Sequence, residues 1–148
     1  MPAENAANHV LLTADVAGSP DAVFTYFTDN FFDLWPGKAE VVTPGSDPKE
    51  PKGLGMVRRM KPPGSATLEE RIVTHDRPTL IEYTVINDAP IYNHLGRIEF
   101  KPTGTGTSVR YTIDFDYKPA AAGPVVRTIL KTTWALTSRR KLRSAFPG

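Results

Sequence analysis

The sequence predicts an α+β fold: a strongly curved antiparallel sheet of seven strands wrapped around one long C-terminal helix, with two short helices after the first strand. Three observations carry that prediction. Every apolar segment between Gly55 and Tyr117 has strand character, and short turns join the segments, which forces an antiparallel meander because parallel neighbours need long crossovers. The last of these strands alternates Val109, Tyr111, Ile113, Phe115 and Tyr117 on one face with Arg110, Thr112, Asp114 and Asp116 on the other, giving one dry side and one wet side. After a Pro/Ala/Gly break, Val125 to Phe146 contains no Gly or Pro and sets Val126, Leu130 and Trp134 four residues apart beside Val125 and Ile129, as an amphipathic helix does. A helix of about 22 residues spans ~33 Å, and a strand of about 11 reaches ~36 Å, so the helix can cover the whole apolar face.

The remaining elements follow in chain order. His9 to Gly18 alternates Val10, Leu12, Ala14 and Val16 against Leu11, Thr13, Asp15 and Ala17, a first strand. A helix start follows at once: the Ser19 hydroxyl can cap, Pro20 suits the first helical position because its missing N–H is not needed there, and Asp21 favours the positive helix end. A second short helix is expected over Asn30 to Trp35, ended by Pro36 and Gly37, and a short strand over Ala39 to Thr43. Pro44 to Gly53, rich in Pro, Gly and charge, reads as an exposed loop whose mobility leaves an opening near the first strands. Gly55–Lys61, Thr67–His75, Leu80–Asn87, Tyr92–Lys101 and Thr107–Tyr117 are the five meander strands. No repeat or second domain is evident, so residues 1–148 read as a single domain.

Composition excludes several function classes. The absence of cysteine removes disulfides, cysteine nucleophiles and thiolate metal sites, and nothing calls for an oxidising compartment. Met1 to Asn8 has neither a basic n-region nor an apolar h-region, and no later stretch reaches the ~20 apolar residues of a membrane span, so a cytoplasmic protein is expected. The net charge is +2, and the cluster Arg139, Arg140, Lys141 and Arg143 falls where cations complement the C-terminal end of a helix dipole, which explains it without a nucleic-acid partner. His9, His75 and His94 are dispersed, without metal-ligand spacing, and His9 and His75 sit at strand ends as surface residues do. No metal and no cofactor is expected.

Taken in order, Ser19–Phe24, Gly53–Arg58, Leu68–Ile72, Leu80–Val85 and Gly106–Tyr111 resemble the corresponding motifs of the SRPBCC superfamily, also called START-like, with its helix-grip fold, and within it the bacterial polyketide cyclase/dehydrase and lipid-transport-like group. The resemblance runs over nearly the whole chain. It implies a deep cavity between sheet and terminal helix that takes apolar small molecules such as lipids, sterols or polyketides. It does not imply one reaction, because carriers, cyclases, hormone receptors and co-chaperone domains share the fold.

Strand alternation then gives the concave face: Val109 to Tyr117 in the last strand, Tyr92, His94, Gly96, Ile98 and Phe100 in the one before, and earlier Ile81, Tyr83, Val85 with Leu68, Glu70, Ile72. Arg58 alternates with Met56 and Met60, and its strand adjoins that of Glu70 across a short turn. Because a buried charge is costly unless paired, an Arg58–Glu70 ion pair inside the barrel is one reading; the other places one or both at the cavity mouth, in water. His94 titrates near neutral pH and can serve as acid or base, with Tyr83, Tyr111 or Glu70 to orient it, or it can simply position a ligand by hydrogen bonding. Phe31 and Trp35 are expected to close one end of the cavity and Tyr26 and Phe27 to be core; Leu130, Trp134 and the small Thr132, Thr133, Ala135 and Thr137 can form its roof, although threonines on the solvent face would be equally ordinary.

The leading reading is a binding module: a carrier or sensor, monomer or homodimer, for an apolar ligand held by Trp35, Ile98, Tyr111, Ile113, Phe115, Leu130, Thr133 and Trp134 and oriented by Arg58, Glu70, Tyr83 and His94. The alternative is a cyclase or dehydratase-type enzyme in which His94 or Glu70 moves a proton. A protein-interaction module of co-chaperone or toxin type is a third.

Overall fold

The computed structural model describes residues 3–148. Seven strands, β1 (Asn8–Val16), β2 (Lys38–Thr43), β3 (Val57–Lys61), β4 (Leu68–Asp76), β5 (Leu80–Val85), β6 (Ile91–Pro102) and β7 (Thr107–Tyr117), form one antiparallel sheet in the order β1-β7-β6-β5-β4-β3-β2. The expected architecture is present: a curved sheet, two short helices after β1 and a long C-terminal helix. Because β1 and β2 lie at opposite edges of the sheet, the segment between them, with α1 (Pro20–Asp29) and α2 (Phe31–Leu34), crosses its concave side. Ser19 caps α1 as expected, its hydroxyl accepting from the Ala22 N–H at 3.2 Å.

The terminal helix is continuous from Gly123 to Ser144 but not uniform. An α-helical stretch α3 (Gly123–Thr133) passes through a π-helical turn (Trp134–Ser138) into α4 (Arg139–Ser144). The reason lies in the four-residue spacing of Val126, Leu130, Trp134, Ser138 and Leu142. Each step of four overshoots a full α-turn by about 40°, and the wider π turn takes back part of that drift. Trp134, Ser138 and Leu142 therefore stay buried against the body, with the Trp134 Nε1–H donating to the Thr13 carbonyl at 2.9 Å and the Ser138 hydroxyl donating to the Leu34 carbonyl.

Of three register shifts among the described residues of the sheet, those in β6 and β4 each correct an expectation. Opposite Phe115 two residues, Asn93 and His94, occupy the place of one, with Asn93 at φ 46°. Ile91 and His94 consequently face inward, whereas Tyr92 lies on the outside, 41% exposed, instead of joining the concave face. The second bulge, at Val73, turns His75 inward opposite Ile81. Its side chain is only 4% exposed, held between the Thr28 hydroxyl at 2.9 Å and Glu50 at 3.1 Å, so it is no surface histidine. His9 does lie at the surface, bonded to Asp114.

The loop after β2 also departs from expectation. Glu50 bonds His75 and Arg77, and Lys52 donates to the Asp29 carbonyl at 3.0 Å, so this segment lies against α1 and the β4–β5 turn rather than leaving an opening there. Beneath α1 the sheet is densely packed: Phe24 and Phe27 each meet Phe100 at 5.3 Å between ring centroids, as core residues do. Tyr26 packs partly buried against this cluster.

Candidate ligand-binding site

Under α3 the sheet is not packed. A cavity of about 710 Å³ lies between α3 and the strands β3 to β7. Its floor includes Glu70, Tyr83, Ile91, His94 and Ile113, its roof Val126, Leu130 and Thr133, and its end wall Phe31 and Trp35. It reaches the surface where exposed residues line it: Pro63 to Ala66 after β3 on one side, Val125 and Ile129 of α3 on the other.

Five polar side chains, those of Arg58, Glu70, Tyr83, His94 and Tyr111, are buried at or behind the floor. Arg58 and Glu70 stand directly opposite in the β3–β4 register, and the Arg58 Nε–H donates to Glu70 Oε1 at 2.9 Å, with the side chains 2% and 7% exposed. The ion pair is thus inside the barrel, not at its mouth. The Arg58 guanidinium lies 3.7 Å from the Phe31 ring centroid and 4.5 Å from that of Tyr83, a cation held between two aromatic faces. Its Nη2 has no hydrogen-bond partner among the described residues. Arg58 lines a separate void of about 10 Å³, beside Thr28, Lys52 and His75, with room for one water. Glu70, by contrast, faces the large cavity.

The Tyr83 ring rests on the backbone of Gly96, where a Cβ would come within 2.2 Å of Tyr83 Cζ. Its hydroxyl bonds that of Tyr111, and burial pushes both phenols above their ordinary pKa, so they stay neutral. His94 accepts a hydrogen bond at Nδ1 from the Val85 backbone N–H at 3.2 Å. A backbone N–H can only donate, so the proton of the neutral imidazole sits on Nε2. Burial lowers the His94 pKa, opposed in part by the Glu70 charge, and keeps the ring neutral at physiological pH.

Of the residues that the sequence singles out, the structure brings Trp35, Glu70, Tyr83, His94, Ile113, Leu130 and Thr133 to the cavity wall. Ile98, Tyr111, Phe115 and Trp134 do not line it. They are core, packed behind the wall, as Tyr111 shows with its ring 6.1 Å from Trp35 and 5.7 Å from Trp134. Thr132, Ala135 and Thr137 face solvent, because the inward stripe is the four-spaced set above, so of the small residues only Thr133 is in the roof. Strand alternation did not reveal the contribution of Pro62 to Ala66 and Pro90, which are turn residues. Apolar or small composition in a turn, without charge, is the signal they carried.

An antiparallel sheet folded around a helix with a cavity between them is a ligand-binding fold of the SRPBCC type. The chain belongs to the family described as polyketide cyclase / dehydrase and lipid transport, whose model matches residues 8–144. Comparison with curated proteins by sequence finds no match. Among solved structures the fold is similar to that of the Aha1 dimer from Colwellia psychrerythraea (TM-score 0.68, 11% identity, covering 92% of this chain and 96% of that one). It is also similar to a protein from Nitrosospira multiformis (TM-score 0.67, 16% identity, 95% and 97% covered). A third likeness is to DynU16 from the dynemicin biosynthetic locus (TM-score 0.63, 12% identity, 94% of this chain and 48% of that one). At these identities the likeness concerns the fold alone. Among the described residues no helix is long and apolar enough to cross a membrane, and no group of three or more His, Asp or Glu is placed to hold a metal.

Proposed function

We propose that the protein is a cytoplasmic single-domain carrier or sensor that binds an apolar small molecule, a lipid, polyketide or aromatic-type ligand, in the cavity under α3. The observation that carries this reading is an aliphatic and aromatic cavity of about 710 Å³ into which a carboxylate and a neutral imidazole project. Ligand sites are typically ~300–1,000 Å³, mostly apolar, with a few polar groups that fix orientation. His94 enters as a hydrogen-bond donor through Nε2 rather than as a proton shuttle, since Nδ1 is occupied and burial disfavours the imidazolium.

Leu130→Trp places an indole in the roof and tests the reading with Nile red, an uncharged dye that brightens in apolar surroundings. Saturable one-to-one binding to the wild type is expected, weakened about tenfold or more in the variant while its melting temperature is kept. Absent binding, or equal binding to both proteins, would overturn the proposal.

A further inference from the structure

We infer that the cavity selects uncharged ligands carrying a hydroxyl beside a carbonyl oxygen and rejects the corresponding carboxylates; this rests on the binding reading above. Glu70 is the one formally charged residue among the described residues that line the cavity, and no Lys or Arg lines it. Its counter-charge is out of reach. The Arg58 guanidinium is covered by the Phe31 and Tyr83 rings, and Arg58 borders only the small void on the α1 side. A ligand carboxylate brought to the floor would therefore meet the Glu70 carboxylate first, with Arg58 behind it already paired and no cation free to pair with the ligand, in surroundings that screen poorly.

What the floor offers instead is one acceptor and one donor. Glu70 Oε1 takes the Arg58 Nε–H, and among the described residues no group bonds Oε2, which leaves it to accept from a ligand hydroxyl. The His94 Nε2–H can donate to a ligand oxygen. The two flank Val85: Glu70 is its register partner on β4, and His94 on β6 takes the Val85 N–H. Their backbones are thus two strand spacings apart, about 9–10 Å, and both side chains line the cavity. The Tyr83 hydroxyl bonds that of Tyr111. An edge that presents a hydroxyl hydrogen and, a few bonds away, a carbonyl oxygen satisfies both groups at once. A saturated chain satisfies neither.

Three ligands of one chain length, competed against Nile red at pH 8, test this: methyl 3-hydroxydodecanoate, methyl dodecanoate and the 3-hydroxydodecanoate anion. The hydroxy ester is expected to displace the dye at about fivefold lower concentration than the plain ester, and the anion to be the weakest. The double variant Arg58→Met/Glu70→Leu, which removes both charges and leaves none unpaired, is expected to abolish the hydroxyl advantage and to narrow the ester-to-anion ratio by about tenfold. An anion that competes as well as the hydroxy ester, or ratios that are the same in wild type and double variant, would overturn the selectivity while leaving the cavity reading intact. If Nile red itself fails to bind, both fall together.

Discussion

Arg58 shows how a charge can be made part of a wall. Its guanidinium is paired to Glu70 on one edge and stacked by two rings on its faces, so a cation that is 2% exposed stands on the apolar side of the sheet without opening a path to water. His94 and His75 are buried with less compensation, and in both the pKa is lowered chiefly by loss of solvent. The consequence for stability has a definite sign. A folded pKa below the unfolded value of about 6.5 means that the unfolded chain takes up the proton first. The stability is fully present above pH 6.5 and is lost as pH falls from there toward the depressed folded pKa. Calorimetric melting temperatures should be flat between about pH 7 and 8 and fall below pH 6.5, with a shallower fall in His94→Gln. Parallel curves for the two proteins would contradict this assignment.

At the scale of elements, the glycine of β6 matters most. Gly96 leaves a flat patch of backbone on which the Tyr83 ring lies, and that ring in turn covers Arg58. A methyl group at position 96 would collide with the ring at 2.2 Å, so Gly96→Ala is expected to cost about 1–3 kcal/mol in urea unfolding. Gly104→Ala, where a Cβ meets nothing within 4 Å, should change stability by less than about 0.5 kcal/mol. The same scale shows what the sequence could and could not reveal. β7 runs from Thr107 to Tyr117, as its uninterrupted alternation foretold, and the Arg58–Glu70 pairing is the one of two sequence readings that the β3–β4 register selects. The bulges were not legible by periodicity, because one extra residue reverses every side chain beyond it while leaving composition unchanged. Asn93, a residue type that tolerates positive φ, was the only local hint for the first. Val73 gave none for the second, and His75 was misplaced with it. The roof was legible only in part: small residues suggest space, but which of them face it is set by how the helix lies on the sheet, and Thr132 and Thr137 take the solvent face that the sequence left open.

The whole molecule is divided into a packed half under α1 and a hollow half under α3. The cavity wall is assembled from β3 to β7, α2 and α3, segments distant in sequence, so the site exists only in the folded chain. A ligand at a hundred times its dissociation constant should therefore stabilise the fold by about 2.7 kcal/mol, which for a chain of this size is about 5–10 °C in melting temperature. Methyl 3-hydroxydodecanoate in a thermal shift assay measures it, and a shift under about 1 °C at saturation would place the ligand elsewhere.

The helix above the hollow half is supported at its two ends. Gly123 is pressed so closely against Asn8 that a Cβ there would come within 2.8 Å of its amide, and the Trp134 indole is tied to Thr13. Between these supports the span is built from poor helix formers: Val125, Val126, Thr128, Ile129, Thr132 and Thr133 are all β-branched. Thr128 also turns its hydroxyl back onto the Pro124 carbonyl at 3.1 Å, a bond that favours bending. Val126 and Leu130 are only partly buried over the hollow, so this stretch gains less from tertiary contact than a helix on a filled core, and little from intrinsic preference. A ligand that fills the space beneath Val126 and Leu130 would add apolar contact to this stretch, which is therefore the segment expected to gain most order on binding, read as slower amide exchange of 125–133.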